Sequence, residues 1–262
     1  MKQIITHTNK PTSGQLCAIG LIKILYPRIE IVRTMNITHG MYRDPKIALI
    51  GVGREYNLPM NNFHPLEKRM RTEHIPYGLF GLVFLRFKDK LLKRRVLDIA
   101  SVDMVDENIV ARVDLIEQGK GFKLTCTNPL MYLNKLFIES SLNDSAIFEE
   151  VVDMASNIVG MLFENTRISE ITKTLTNSKP IPEILVTNES LIDYSVLRSK
   201  GVKGVIHPCG YEHSHTGWKL KILDIKLAME IGKDCFHFKE RVEAELKATK
   251  FKKKLRGSQK SP

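Results

Sequence analysis

Residues 2–34 read KQIITHTNKPTSGQLCAIGLIKILYPRIEIVRT, and the fold turns on how this stretch is read. KQIITHT is a short apolar run that predicts a buried strand. Pro11, Ser13 and Gly14 then mark a loop. QLCAIGLIKILY carries apolar residues at helical spacing and is stopped by Pro27, which cannot continue a helix. IEIVRT predicts a second strand, and KIALIGVG (46–53) a third. Strand, loop, helix, strand in this order predicts βαβ units and a parallel sheet. In such sheets ligands bind outside the carboxyl ends of the strands, so a site is expected at the loops after IITHT and IALIGVG.

Working outward, HIPYGLFGLVFLRF (74–87) and RRVLDIASVDMVDENI (94–109) each predict a helix, the second one acidic, and a helical middle is expected over 145–164. TRISEITKTLTNSKPIP (166–182) is polar, rich in Thr and Ser and ends in two prolines, which marks a boundary. Beyond it EILVT, VKGVIHP and GWKLKILDI predict strands, and LIDYSVLRSKG a helix closed by Gly201. The expectation is an α/β protein. A parallel-sheet domain with helices on both faces covers 1–165, a smaller α/β domain covers 180–238, and a basic helix and tail cover 239–262.

A chain of 262 residues, 43% hydrophobic and 26% charged, has the composition of a globular protein and can bury a core without disulfides or metals. No apolar run reaches the roughly 20 residues that span a bilayer. MKQIITHTNKP has no apolar signal-peptide core, and the expected location is the cytoplasm. Cys17, Cys126, Cys209 and Cys235 are widely spaced, without a C-x-x-C pair, as reduced, packed thiols are.

Forty basic against 29 acidic residues give a net charge of +11. KATKFKKKLRGSQKSP (247–262) holds Lys247, Lys250, Lys252, Lys253, Lys254, Arg256 and Lys260 and no acid. Such a block gains affinity by releasing counterions from a phosphate backbone; a solvated tail that keeps the protein soluble is the competing reading. Two further clusters are basic: Lys68, Arg69 and Arg71, and the run Arg86, Lys88, Lys90, Lys93, Arg94 and Arg95 with only Asp89 as an acid. Tyr77, Phe80 and Phe87 nearby sit at helical spacing and read as core rather than as base-stacking residues.

Three segments carry a resemblance. ITHTNKPTSGQLCAIGLIKILYPRIEIVRT, then IALIGVGREYNLPMNNFHPLEK, then SVDMVDENI resemble, in order, the opening motifs of the melanocyte-proliferating-gene (MYG) family of the DHH phosphoesterase superfamily. There a strand is followed by T-H-x-G-x-F-H-x-D-[DE], by D-V-G-G-x-Y-D-P with F-D-H-H-Q, and by D-A-x-D-N-G-I. EILVTNESLIDYSVLRSKGVKGVIHPCGYEHSHTGWKLKIL is similar to the family's later strand, helix and strand, so the resemblance covers roughly residues 2–223. It implies a DHH-like fold and, in the family, a divalent-metal phosphoesterase site built from carboxylates and imidazoles.

Set against those motifs, this chain keeps Thr6 and His7 but has Thr12, Gly14 and Gln15 where the family has histidine and two acids. Gly51 stands at the second aspartate, and His64-Pro65-Leu66 replaces Asp-His-His. Only the third motif keeps its acids, Asp103 and Asp106. These positions read as a vestigial site: His7 as an internal hydrogen-bonding residue, His64 as a loop residue, and the two aspartates as amide caps or ion-pair partners. No metal and no cofactor are expected.

IHPCGYEHSH, with His207, Cys209, His213 and His215, has zinc-ligand residue types, and Cys235 and His237 come later, but the spacing is that of no common zinc module. KPTSGQL precedes a helix in a setting that can hold an anion, yet lacks the Gly-Lys-Ser/Thr ending of a phosphate-binding loop. The expectation is a pseudoenzyme that binds RNA. Its partner would be the ribosome, with ribosomal RNA and possible contacts to ribosomal proteins, and it would restrain translation by occupying a functional site. The alternative is a metal-dependent RNA exonuclease rebuilt on His7, His64, Asp103 and Asp106. A third reading is a protein–protein adaptor.

Overall fold

A computed structural model describes residues 1–8, 11–53, 56–64, 70–72, 75–119, 145–177, 181–209 and 217–257. The chain divides into two units, residues 1–166 and 167–262.

In the first unit β1 (Gln3–Thr6), β2 (Glu30–Arg33), β3 (Ile47–Ile50) and β4 (Asn62–Phe63) form a parallel sheet in the order β2-β1-β3-β4. The alternation of strand side chains divides it into two faces. Ile4, Ala48 and Ile50 join the main core with α1 (Ser13–Leu25), α3 (Leu79–Lys93) and the long α6 (Ser145–Leu175). Ile5 and Leu49 face the other way, against Met41 and Tyr42 of the short α2 (His39–Arg43). Helices thus cover both faces, one of them by a single turn-length helix. The Thr12 hydroxyl accepts from the Gln15 N–H (3.1 Å) to start α1, and Tyr26 ends it before Pro27. Nearly every α1 residue is buried, and at Gly20 a Cβ would come within 2.9 Å of the Ser156 backbone nitrogen in α6.

Two expectations here need correction. The helix foreseen over 74–87 begins only at Leu79, because Ile75–Pro76 (β6) pairs antiparallel with Met70–Thr72 (β5). The helix foreseen over 94–109 starts at Ile99 as α4 (Ile99–Val105), behind an Asp98 cap whose carboxylate accepts from the Ser101 N–H at 2.8 Å. It then widens into a π-helical turn, Asp106–Val110, and continues as α5 (Ala111–Glu117). The extra residue in a π turn rotates the side chains beyond it relative to those before it.

In the second unit the sheet order is β10-β9-β8-β7. β7 (Ile184–Val186) and β8 (Gly204–Pro208) are parallel, while β9 (Trp218–Ile222) and β10 (Cys235–Phe238) add antiparallel. Helix α7 (Tyr194–Ser199) covers one face through Leu197. Helices α8 (Ile225–Ile231) and α9 (Arg241–Gly257) cover the other through Leu227, Ala244, Ala248 and Phe251. The last three recur at i, i+4 and i+7, one stripe of a helix. The basic C-terminal helix is therefore part of this unit's core rather than a separate appendage. The polar stretch 166–182 proves helical through Leu175, since Thr166, Thr172 and Thr174 return their hydroxyls to carbonyls four residues back. Strand β10 is an addition to the expected strands: its CFHF displays metal-ligand residue types more plainly than a strand pattern.

Candidate functional site

The first unit holds a cavity of about 340 Å³ where the carboxyl ends of β1 and β3 meet the N-terminus of α3. His7, Thr12, Gln15, Gly51 and His64 line it, with Pro76, Tyr77, Leu79, Glu117 and Gln118 opposite. Four of the positions read as vestigial, His7, Thr12, Gly51 and His64, therefore come together, at the loops expected to carry a site.

Gly14 is the fifth, and Glu117 explains it. A Cβ at Gly14 would overlap the Glu117 carboxylate, and a Cβ at Gly78 would come within 2.5 Å of Glu117 Oε2. Glu117 accepts from the Thr12 hydroxyl (2.5 Å) and from the Leu79 N–H (3.1 Å), and the Gly14 amide also bonds it. One carboxylate thus serves the N-termini of both α1 and α3, where exposed N–H groups and the helix dipoles favour negative charge. Burial raises its pKa; the Thr12 hydroxyl and the two amides oppose that shift, and Asp114 adds to it. The anion setting noticed in KPTSGQL is occupied by the chain's own side chain.

Three residues along, Asp114 is completely buried. It accepts from the Gly81 N–H (3.0 Å) and from Arg71 Nη2 (3.0 Å). Arg71 also pairs with Asp106 and lies over the Tyr77 ring, 4.5 Å from its centroid. Burial raises the Asp114 pKa against the pull of Arg71. Arg71 is only 9% exposed. It is thus a structural cation between two aspartates, and its assignment to an RNA surface is corrected.

Asp103 and Asp106, the acids of the third resembling segment, do not reach the cavity lining. Asp103 is exposed and pairs with Lys88 Nζ at 2.9 Å, and Asp106 is held by Arg71. The set His7, His64, Asp103 and Asp106 is therefore not assembled, and the described residues contain no group of three or more ligating side chains placed to hold a metal ion. The acid that does line the cavity, Glu117, and its buried neighbour Asp114 escaped sequence reading. Their signal lay in IVARVDLIEQG (109–119), where Asp114 falls on the same helical face as Val110 and Val113, among residues that pack into the core.

Other predicted residues fall elsewhere. Lys68, Arg69, Lys260, His213 and His215 lie outside the described residues. Lys93, Arg94 and Arg95 are exposed at the end of α3. The neighbouring cations are partly committed inside the unit: Lys90 bonds the Tyr26 hydroxyl, Arg94 bonds the Leu25 carbonyl, and Arg86 bonds Asn61 Oδ1 (3.0 Å). Lys247, Lys250, Lys252, Lys253, Lys254 and Arg256 all lie on α9. Lys250 is exposed, and Lys247 sits over the rings of Phe236 and Phe251.

In the second unit Cys209 Sγ lies 3.5 Å from His237 Nδ1, and Cys235 Sγ lies 3.6 Å from Nε2 of the same ring. The two sulfurs meet opposite edges of the imidazole, so they do not converge on one point. His207 is buried, with Nε2 2.8 Å from the Tyr194 hydroxyl. Burial, aided by Lys219, pushes its pKa down to about 4.

No family model, no curated protein and no solved structure matches the chain.

Proposed function

We propose that the chain is a catalytically inactive relative of the MYG/DHH phosphoesterases that binds RNA, with the ribosome as its partner, and that it restrains translation by occupying a functional site there. The observation that carries this reading is α9. From Lys247 to Arg256 the helix bears six basic residues and no acid, and it is anchored to the second sheet through Ala244, Ala248 and Phe251. A helix so mounted offers its charge to a phosphate backbone with less ordering to do than a free tail. The inactive half of the proposal draws on Gly14 and Gly51, which leave no carboxylate at the positions where the family has its aspartates, and on Glu117, which fills the place beside Gly14.

Deleting residues 247–262 would be a poor test, because it removes Ala248 and Phe251 from a core. Replacing Lys250, Lys252, Lys253, Lys254 and Arg256 together by Gln keeps both. Native extract is sedimented through sucrose gradients with and without RNase. The unaltered protein is expected with ribosomes until RNase is added, and the substituted protein is expected near the top. Co-sedimentation that survives both RNase and the five substitutions would instead identify a protein–protein adaptor.

A further inference from the structure

The opposite edge of the first sheet, where β1 and β2 begin and α1 and α3 end, carries a second cavity, of about 370 Å³. Met1, Leu25, Tyr26, Arg28 and Arg94 line it, and among the described residues no carboxylate does. Arg28 and Arg94 are exposed. Lys90 Nζ lies 4.2 Å from the centroid of the Tyr26 ring, and the Arg94 guanidinium carbon 5.5 Å from it. Lys90 also donates to the Tyr26 hydroxyl, and Arg94 to the Leu25 carbonyl. Neither acceptor is charged, so these bonds orient the two cations without neutralising them. Arg71, between two aspartates, is the contrast. Lys46 adds a further charge. Its carbonyl accepts from the Lys2 N–H at 2.7 Å. Burial lowers the pKa of the Met1 amine, and the charges of Lys90 and Lys46 lower it further against the pull of Asp44.

Charge selects the guest. Among the described residues, Arg28, Lys46, Lys90 and Arg94 form no ion pair with an acid. Cations at helix C-termini also complement the macrodipole, but each helix end carries only roughly half a negative charge. The ends of α1 and α3 together with Asp44 therefore offset about two of the four positive charges, and about two are left over. A phosphate monoester carries roughly −1.5 to −2 at pH 7. Like charges around a concave surface also raise the local concentration of anions. Two exposed guanidinium groups in the lining supply the planar donor forks that suit phosphate oxygens. The volume is near the lower end for small-molecule sites, about 300–1,000 Å³, which suits a phosphate on a body no larger than a sugar.

We propose that this cavity binds a terminal phosphate group, gripped by Arg28 and Arg94 in the field of Lys46 and Lys90. The group could be carried by a free sugar phosphate or by the phosphorylated end of an RNA. The site goes beyond the RNA-binding reading and does not depend on it, since it lies wholly in the first unit and uses none of the basic residues of α9.

The test uses the full chain and calorimetry at about 0.15 M salt, which screens exposed charges beyond roughly 8 Å. Two ligand pairs are compared: ribose 5-phosphate with ribose, and a tetranucleotide RNA with and without its 5′-phosphate. The phosphate is expected to add at least about tenfold in affinity, with one-to-one stoichiometry, in at least one pair. Arg28→Gln and Arg94→Gln are each expected to cut that gain about tenfold, the order for losing a hydrogen bond to a charged group. Arg28 is exposed, so its variant keeps the test decisive if loss of the Arg94 bond to Leu25 impairs folding. Lys226→Gln, an exposed position on α8, makes the same charge change in the second unit and should leave the gain intact. So should the five glutamine substitutions on α9, even where they abolish RNA binding. A gain confined to ribose 5-phosphate identifies a free sugar phosphate as the guest, and one confined to the tetranucleotide identifies an RNA end. A gain in both shows that the phosphate group itself is what the site reads. The proposal is overturned if the phosphate adds nothing in either pair, if the gain survives both arginine substitutions, or if Lys226→Gln removes it equally.

Discussion

Placing an aspartate at position 14, where the MYG family that the chain resembles has one, is the most direct probe of the proposed reading of this site. In Gly14→Asp the new Cβ overlaps the Glu117 carboxyl group. Overpacking of this kind costs about 1–3 kcal/mol. A second carboxylate about 4 Å away adds roughly 4 kcal/mol of repulsion at the effective dielectric of a protein, before either group relaxes or takes up a proton. Acid in the first turn of α1 returns about 0.5 kcal/mol. The expected net loss before such relaxation is about 4.5–6.5 kcal/mol. Glu117→Ala alone strips an acceptor from the Thr12 hydroxyl and from the Leu79 and Gly14 amides, at about 1–3 kcal/mol. In the double variant the new carboxylate inherits the space and the donors, so the combined loss should stay within about 2 kcal/mol, a coupling of at least about 2 kcal/mol. Urea denaturation followed by far-UV circular dichroism on the four proteins of the cycle measures it. Effects that add within about 0.5 kcal/mol would refute the claim that Glu117 fills the space a side chain at position 14 would need.

Three further outcomes are expected from the described contacts. His207 has its folded pKa lowered to about 4, so between pH 6.5 and 4 the unfolded chain binds the extra proton. Stability therefore falls as pH drops, by about 2 kcal/mol at pH 5 and about 3 kcal/mol at pH 4. His207→Gln should flatten that slope, as read by urea titration of the single tryptophan, Trp218 in β9. Arg71→Met leaves the buried Asp114 without its cation and is expected to cost about 3–5 kcal/mol, and a loss below about 1 kcal/mol in denaturation would show that the pair is idle. For RNA binding, each phosphate contact on a single strand contributes about 0.7 to the slope of log affinity against log salt, so the five α9 substitutions should flatten it by up to about 3.5; an unchanged slope in filter binding would place the RNA contacts elsewhere.

The βαβ opening was legible because its apolar periods, Pro27 and the β-branched strands all agree. The place of the site was legible for the same reason, since parallel strands bring their carboxyl ends together wherever the helices go. What the sequence hid depends on contacts across long separations. Glu117 lies 103 positions from Gly14, and only the folded chain shows that one occupies the space the other leaves open. The π turn at Asp106–Val110 has no signature in local propensity, and it sits in the very segment that carries Asp114 and Glu117. Arg71 sat beside Lys68 and Arg69 in a run that looked like a solvated face, and its burial depends on two aspartates 35 and 43 residues away. Conversely, threonines that made 166–175 look like a linker satisfy their hydroxyls within the helix, a choice that composition does not reveal.

A carboxylate tethered by its own backbone cannot be diluted away. Where a fold depends on a dissociable anion or metal at paired helix ends, its melting temperature tracks the concentration of that guest. With Glu117 in the role, the occupancy at the ends of α1 and α3 is the same in a cell rich in phosphate and in one starved of it. The helix ends themselves thereby need no phosphate from solution to satisfy the Thr12 hydroxyl and the Gly14 and Leu79 amides.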